Sequence, residues 1–233
     1  MRILFCCLIF VSQVVWGLEF SSRSSATTVI ELYTSEGCSS CPPADEWLST
    51  FKQDKRLFDG LLPLAFHVDY WDRLGWTDRF ARSEYSQRQR DLVNQRLISQ
   101  VYTPGFVLNS HEWRGWFSGR SRLGNQIAMP GKLSAKLDES ELIASFEQDA
   151  LLELHVAWLG MELVTEVTSG ENRNRSLKHD FVVLQHWQQL GRGRWQIALP
   201  SPQDLGQKKT AIAIWLTEPG DLTVIQAAGS YLE

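Results

Sequence analysis

Two cysteines, two residues apart, sit between a β-branched apolar run and a pair of prolines, and this stretch limits the fold more than any other. It reads TVIELYTSEGCSSCPPADEWLSTFKQD, with Cys38 and Cys41 at its centre. Val29, Ile30, Leu32 and Tyr33 predict a short buried strand. Pro42 and Pro43 suit the first turn of a helix, where backbone N–H groups lack partners in any case. Trp47, Leu48 and Phe51 then fall on one helical face, with Asp45 and Glu46 near its positive end. The cysteines are therefore expected at an accessible strand-to-helix turn. There they can close a short disulfide or present one sulfur as a nucleophile. Cys38, on the loop side, is read as the attacking thiol and Cys41 as the resolving thiol. Ser39 and Ser40 can donate to a sulfur anion, while the Glu36 carboxylate opposes it. Pro42 disfavours helical angles at Cys41 and so weakens the case for help from the helix dipole.

The compartment decides whether such a pair stays oxidised. The opening MRILFCCLIFVSQVVWG has a positive start at Arg2 and an apolar run too short to span a bilayer comfortably. It is read as a signal peptide, residues 1–17, cleaved near Gly17. Cleavage removes Cys6 and Cys7 and leaves two cysteines in a periplasmic or secreted protein, where disulfides persist. No other run is long enough to cross a membrane, so no stable membrane insertion is expected after cleavage. A net charge of −4 without a long basic run argues against nucleic acid as a partner.

Residues 18–27 are Ser-rich and read as a loose lead-in. LLPLAFHVDYW predicts a second strand covered on both faces. TDRFARSEYSQRQRDLVNQRL predicts a polar helix that buries Phe80, Tyr85, Leu92 and Leu97, with Arg88, Arg90 and Arg96 on its solvated face. VYTPGFVLNS and HEWRGWF follow as strands, and GRSRLGNQIA is the one place for a further helix. In VYTPGFV, Thr103-Pro104 precedes an apolar strand, and a cis proline there would leave a backbone edge for an extended peptide. After about Pro130 the pattern changes to short β runs, LELHVAWL, MELVTEV, DFVVLQHW, RWQIALP, AIAIWLTE and LTVIQAAGSYL. The boundaries are thus residues 28–130 for a first domain with a helical insertion around 70–98, and 131–233 for a β-rich part, an antiparallel sheet or sandwich.

The order strand–CxxC–helix, then Thr-Pro–strand–strand, resembles the thioredoxin-like superfamily. ELYTSEGCSSCPPAD, FHVDYWDRLGWTD, QVYTPGFVLN, GENRNRSLKHDFVV and IQAAGSYL are together similar to a bacterial family of secreted thioredoxin-like proteins of unknown function. The resemblance implies an α/β thioredoxin-like domain with a β-rich C-terminal part. It matches Cys38 and Cys41 to the redox pair and Pro104 to the cis-proline.

Further candidates stand beside plainer readings. Thr103, Trp71 and Trp76 can wall a peptide-binding cleft, although such rings more often cover a core. His67, at a strand end, can transfer a proton or serve as a structural histidine. His111, His155, His179 and His186 lack ligand spacing, and no metal site or cofactor is expected from them. Three functions follow. One is an extracytoplasmic thiol–disulfide oxidoreductase acting on protein or peptide thiols. Another is a binding protein with a structural disulfide. The third is a copper-handling protein using Cys38, Cys41 and His67. The sequence does not fix the oligomeric state.

Overall fold

A computed structural model of the chain describes residues 17–232 apart from 121 and 125. The expected signal peptide lies almost wholly outside the described residues. Fourteen strands and two α-helices are present among them. The strands are β1 (Leu18–Ser21), β2 (Thr28–Thr34), β3 (Leu61–His67), β4 (Gly105–Leu108), β5 (His111–Glu112), β6 (Leu133–Asp138) and β7 (Glu141–Phe146). They continue with β8 (Leu151–Met161), β9 (Leu163–Glu166), β10 (Ser176–His179), β11 (Val182–Arg192), β12 (Arg194–Ala198), β13 (Lys209–Thr217) and β14 (Val224–Tyr231). The helices are α1 (Pro42–Ser49) and α2 (Ser83–Asn94). No described helix is long and apolar enough to cross a membrane.

Twelve strands form one sheet, in the order β1-β6-β7-β12-β11-β3-β2-β4-β5, with β8 branching from β11 and leading to β13 and β14. β2 runs parallel to β3 and antiparallel to β4, and all seven of its residues are buried. The remaining two strands, β9 and β10, make a hairpin that lies against α1.

The run AIAIWL in β13 explains why the sheet is covered on both faces. Ala211, Ala213 and Trp215 enter one core, with Ile30, Leu64, Phe66 and Phe181. Ile212, Ile214 and Leu216 enter a second core, with Leu142, Trp158, Leu184 and Trp195. Alternate side chains of a strand point to opposite faces, so a strand between two cores must be apolar throughout.

This architecture corrects the expected fold class. The chain is not an α/β thioredoxin-like domain with a β-rich appendage but a mostly β protein built on one large sheet. The physical reason lies in β11. Its first residue, Val182, pairs in parallel with Ala65 of β3, so a strand from the second half extends the sheet of the first. Strands of both halves thus share one sheet instead of forming separate units. The described residues of GRSRLGNQIA are not helical.

Smaller corrections follow. Residues 18–21 are not a loose lead-in, because β1 pairs with β6. The polar helix starts only at Ser83, and Arg88 is not on a solvated face. Its guanidinium is buried, 2.6 Å from the Glu31 carboxylate.

Candidate functional site: a covered disulfide beside buried histidines

Cys38 and Cys41 form a disulfide at the start of α1. Cys41 is the N-cap residue and has helical angles (φ −78°, ψ −38°) in spite of the following proline. The turn offers few donors to a sulfur. Pro42 and Pro43 have no N–H, and the next two N–H groups, of Ala44 and Asp45, donate to the Cys41 carbonyl at 2.8 and 3.1 Å. The hydroxyl of Ser40 lies 3.4 Å from Cys38 Sγ.

Both cysteines are 0% exposed, which corrects the expectation of an accessible sulfur pair. Ser39 and Ser40, between them, are exposed. The cover is the loop joining β9 and β10. Asn172, itself buried, donates its side-chain amide to the carbonyls of Glu36 (2.8 Å) and Cys38 (3.0 Å). The exposed Glu171 carboxylate accepts from the Ser39 N–H at 3.1 Å, and the Ser39 side chain together with that N–H holds its pKa below the ordinary value. Trp76 closes the arrangement from a second loop, where its indole N–H donates to Glu36 Oε2 at 2.8 Å. Its Cβ lies 3.0 Å from where a side chain at Gly170 would begin.

Beside the disulfide lie five buried ionisable side chains, Glu36, Asp45, His67, Asp78 and His179. α1 carries Asp45, the end of β3 carries His67, and the end of β10 carries His179. His67 Nδ1 is 2.7 Å from Asp78 Oδ2. Burial works against a charge on His67, and Asp78, aided by Asp45 and Glu36, more than reverses it, raising the imidazole pKa to about 9. Burial likewise opposes a charge on Asp78, but His67 and the N–H groups of Glu36 and Phe80 hold it below the usual carboxylate range. Burial pushes the Asp45 carboxyl up against the pull of His179 and His67, and Thr34 donates to its Oδ2 at 3.0 Å. His179 Nε2 lies 3.3 Å from Glu36 Oε1, and its Nδ1 lies 3.9 Å from Asp45 Oδ2.

A family model described as "Protein of unknown function (DUF1223)" matches residues 29–217. The chain belongs to the DUF1223 family. This DUF1223 protein is similar to the crystal structure of protein AGR_C_4864 from Agrobacterium tumefaciens, with 24% identity and a TM-score of 0.65. The match covers 89% of this chain and 95% of that one. It is also similar to HBP35 of Porphyromonas gingivalis, with 14% identity and a TM-score of 0.54, covering 91% and 76% of the two chains. These two likenesses describe the fold alone. No curated protein matches the DUF1223 chain.

The structure of the DUF1223 protein brings most of the residues singled out in its sequence to this region. The Thr103-Pro104 peptide bond is cis, and Pro104 is buried. Trp71 bridges it to the cysteine turn. The Trp71 indole N–H donates to Thr103 Oγ1 at 2.8 Å, while its Cβ lies 3.0 Å from where a side chain at Gly37 would begin. Trp76 belongs to the cover instead of the Trp71–Thr103 contact. The edge expected before β4 is partly engaged, since the Gln89 side chain donates to the Tyr102 carbonyl at 2.8 Å.

The sequence reading missed Asp45, Asp78, His179 and Asn172 as members of the site. Two signals pointed to three of them, Asn172, His179 and Asp78. GENRNRSLKHD combined polar residues with turn formers, and the WTD triplet lies in the loop after β3. Neither showed that the segments meet. His155 and His186 lie elsewhere, stacked on Trp215 beside a cavity of about 570 Å3 that Arg88 also lines.

Proposed function

We propose that the DUF1223 protein is a thiol–disulfide oxidoreductase whose redox pair, Cys38 and Cys41, works after the β9–β10 loop lifts away. The observation that carries this reading is the size of the ring that the disulfide closes. Cross-linking residues three positions apart removes little chain entropy, about 2 kcal/mol in the loop-closure account, against almost 5 for a 100-residue loop. A staple so weak does not explain five ionisable groups buried next to it, each costly to remove from water. Three of them, Asp45, His67 and Asp78, have perturbed pKa values, and such groups gathered at one place are a mark of functional sites.

The chemistry balances as ordinary exchange. A thiolate of a reduced partner attacks Cys38 Sγ, forming a mixed disulfide and releasing Cys41 as a thiolate, which takes up a proton. A second partner thiolate attacks the partner's own sulfur in that mixed disulfide. Cys38 leaves, and two electrons have passed from partner to protein. The reverse sequence oxidises the protein and reduces a partner disulfide. The exposed Ser39–Ser40 turn and the Trp71–Thr103 contact are the places where a partner chain meets the pair. Extracytoplasmic localisation follows from the signal-like start and keeps the pair oxidised at rest.

Zero exposure of both sulfurs favours a second reading, a fixed disulfide in a binding protein. Trapping separates the two. Cys41→Ser, expressed with its leader, is expected to hold partner proteins as mixed disulfides through Cys38, released by dithiothreitol. No such adducts, together with no dithiol exchange by the native chain, would leave the structural reading standing.

A further inference from the structure

We propose that Asp45, His67 and His179 bind a divalent transition-metal ion, with zinc as its representative. Glu36 and Asp78 orient the two imidazoles from outside. The three side chains come from α1, β3 and β10, and each offers a ligand atom within 4.8 Å of the others'. Ligand atoms around a tetrahedral ion with bonds of about 2.0–2.1 Å lie roughly 3.3 Å apart. Small side-chain rotations would close that gap.

Unpartnered atoms point independently to a ligand. His67 Nε2 is buried without a hydrogen-bond partner, and so is His179 Nδ1, with Asp45 Oδ2 3.9 Å away. His67 is 0% exposed and His179 is 2% exposed. Buried polar atoms are almost always paired, and two on neighbouring rings require an explanation. The rings stand 5.0 Å apart between centroids.

Both rings have the outer-shell support usual for metal-binding histidines. His67 holds Asp78 with Nδ1 and keeps Nε2 free. His179 sets Nε2 3.3 Å from Glu36 and turns Nδ1 toward Asp45. A carboxylate on the far nitrogen fixes the ring and strengthens the ligating nitrogen. Each carboxylate is held in turn, Glu36 by Trp76, Asp78 by the Glu36 and Phe80 N–H groups, and Asp45 by Thr34.

Three carboxyl groups are buried with two imidazoles, and a divalent ion would take the place of the proton that His67 gives up on binding it. Two imidazoles with one carboxylate suit zinc or iron(II) better than magnesium or calcium, which take oxygen ligands. A cavity of about 230 Å3 is lined by Pro42, Glu46 and His179. The set contains no sulfur, so it differs from the copper site drawn from Cys38, Cys41 and His67; it uses the same buried cluster that the redox reading draws on, but its test does not depend on the cysteines.

The test is zinc content and uptake by the full-length mature chain after dialysis against a chelator. One equivalent is expected for the native protein and for a Cys38→Ser/Cys41→Ser double variant. Asp45→Asn and His179→Gln are expected to abolish stoichiometric uptake while keeping the native far-ultraviolet spectrum. Asp78→Asn, which leaves all three ligands, should weaken zinc binding about 10–100-fold. Cobalt(II) should give the absorption of a low-symmetry site in the native chain and lose it in His179→Gln. No uptake by the folded native chain overturns the proposal. So does uptake that survives His179→Gln or vanishes in the cysteine double variant.

Discussion

The side-chain amide of Asn172 donates to the carbonyl of Cys38 at 3.0 Å, across 134 positions of sequence. That contact, with the bond to the Glu36 carbonyl, seals the disulfide under the β9–β10 loop.

Asn172→Ala is therefore expected to open the cover. The Glu36 carbonyl loses its side-chain donor and the Cys38 carbonyl keeps only the Cys41 N–H, at a cost of about 1–3 kcal/mol in stability. The disulfide should also react faster with dithiothreitol in the folded protein. Urea unfolding and the reduction rate in native buffer measure the two effects. An unchanged reduction rate would mean that the loop does not gate the sulfurs.

The buried Arg88–Glu31 pair bridges α2 and β2, and the Tyr33 hydroxyl donates to the same carboxylate at 2.8 Å. Glu31→Gln leaves a buried guanidinium without its counter-ion and should cost about 3–5 kcal/mol. Replacing both partners together, as Glu31→Leu with Arg88→Met, should cost less than either single change. Urea midpoints for the three variants check this, and simple additivity would contradict the pairing.

His155 and His186 predict the acid limb of stability. Their nitrogens lie 3.1 Å apart, His155 also meets Thr217, and Glu153 and Arg88 are the charged neighbours. Burial lowers both pKa values, that of His155 well below its ordinary value and that of His186 to about 3, with Arg88 adding to each. The folded state thus keeps both rings neutral, whereas the unfolded chain takes up protons below about pH 6.5. Their contribution is complete above about pH 6.5 and is lost as the pH falls toward 3. The urea midpoint should drop between pH 7.5 and pH 5, and less steeply in His186→Gln. Equal slopes in the two proteins would exclude this pair as the cause.

The sequence was most legible where a local pattern decides structure. TVIELYT forms β2 and PPADEWLS forms α1, because a short buried run and a pair of prolines need no distant partner to be recognised. β6 and β7 escaped notice. Each alternates buried apolar positions with half-buried or exposed ones in a short polar context, LSAKLD and ELIASF, and their pairing with β1 and β12 is invisible locally. The fold class failed for a related reason. The strand–CxxC–helix order is local, whereas β11 joins β3 from more than 100 residues away. The site divides in the same way. Cys38, Cys41, Trp71, Thr103 and His67 stood out within single segments. His179 had no ligand spacing, since its neighbours Asp45 and His67 reach it only through the packing of the β9–β10 hairpin on α1.

The reduction potential of the Cys38–Cys41 couple, measured by equilibration of the folded protein with glutathione or dithiothreitol buffers, tests the redox reading most directly. An exchanging pair should lie above about −300 mV, in the range of known oxidoreductases. A value below that would identify the disulfide as a structural bond and contradict the account.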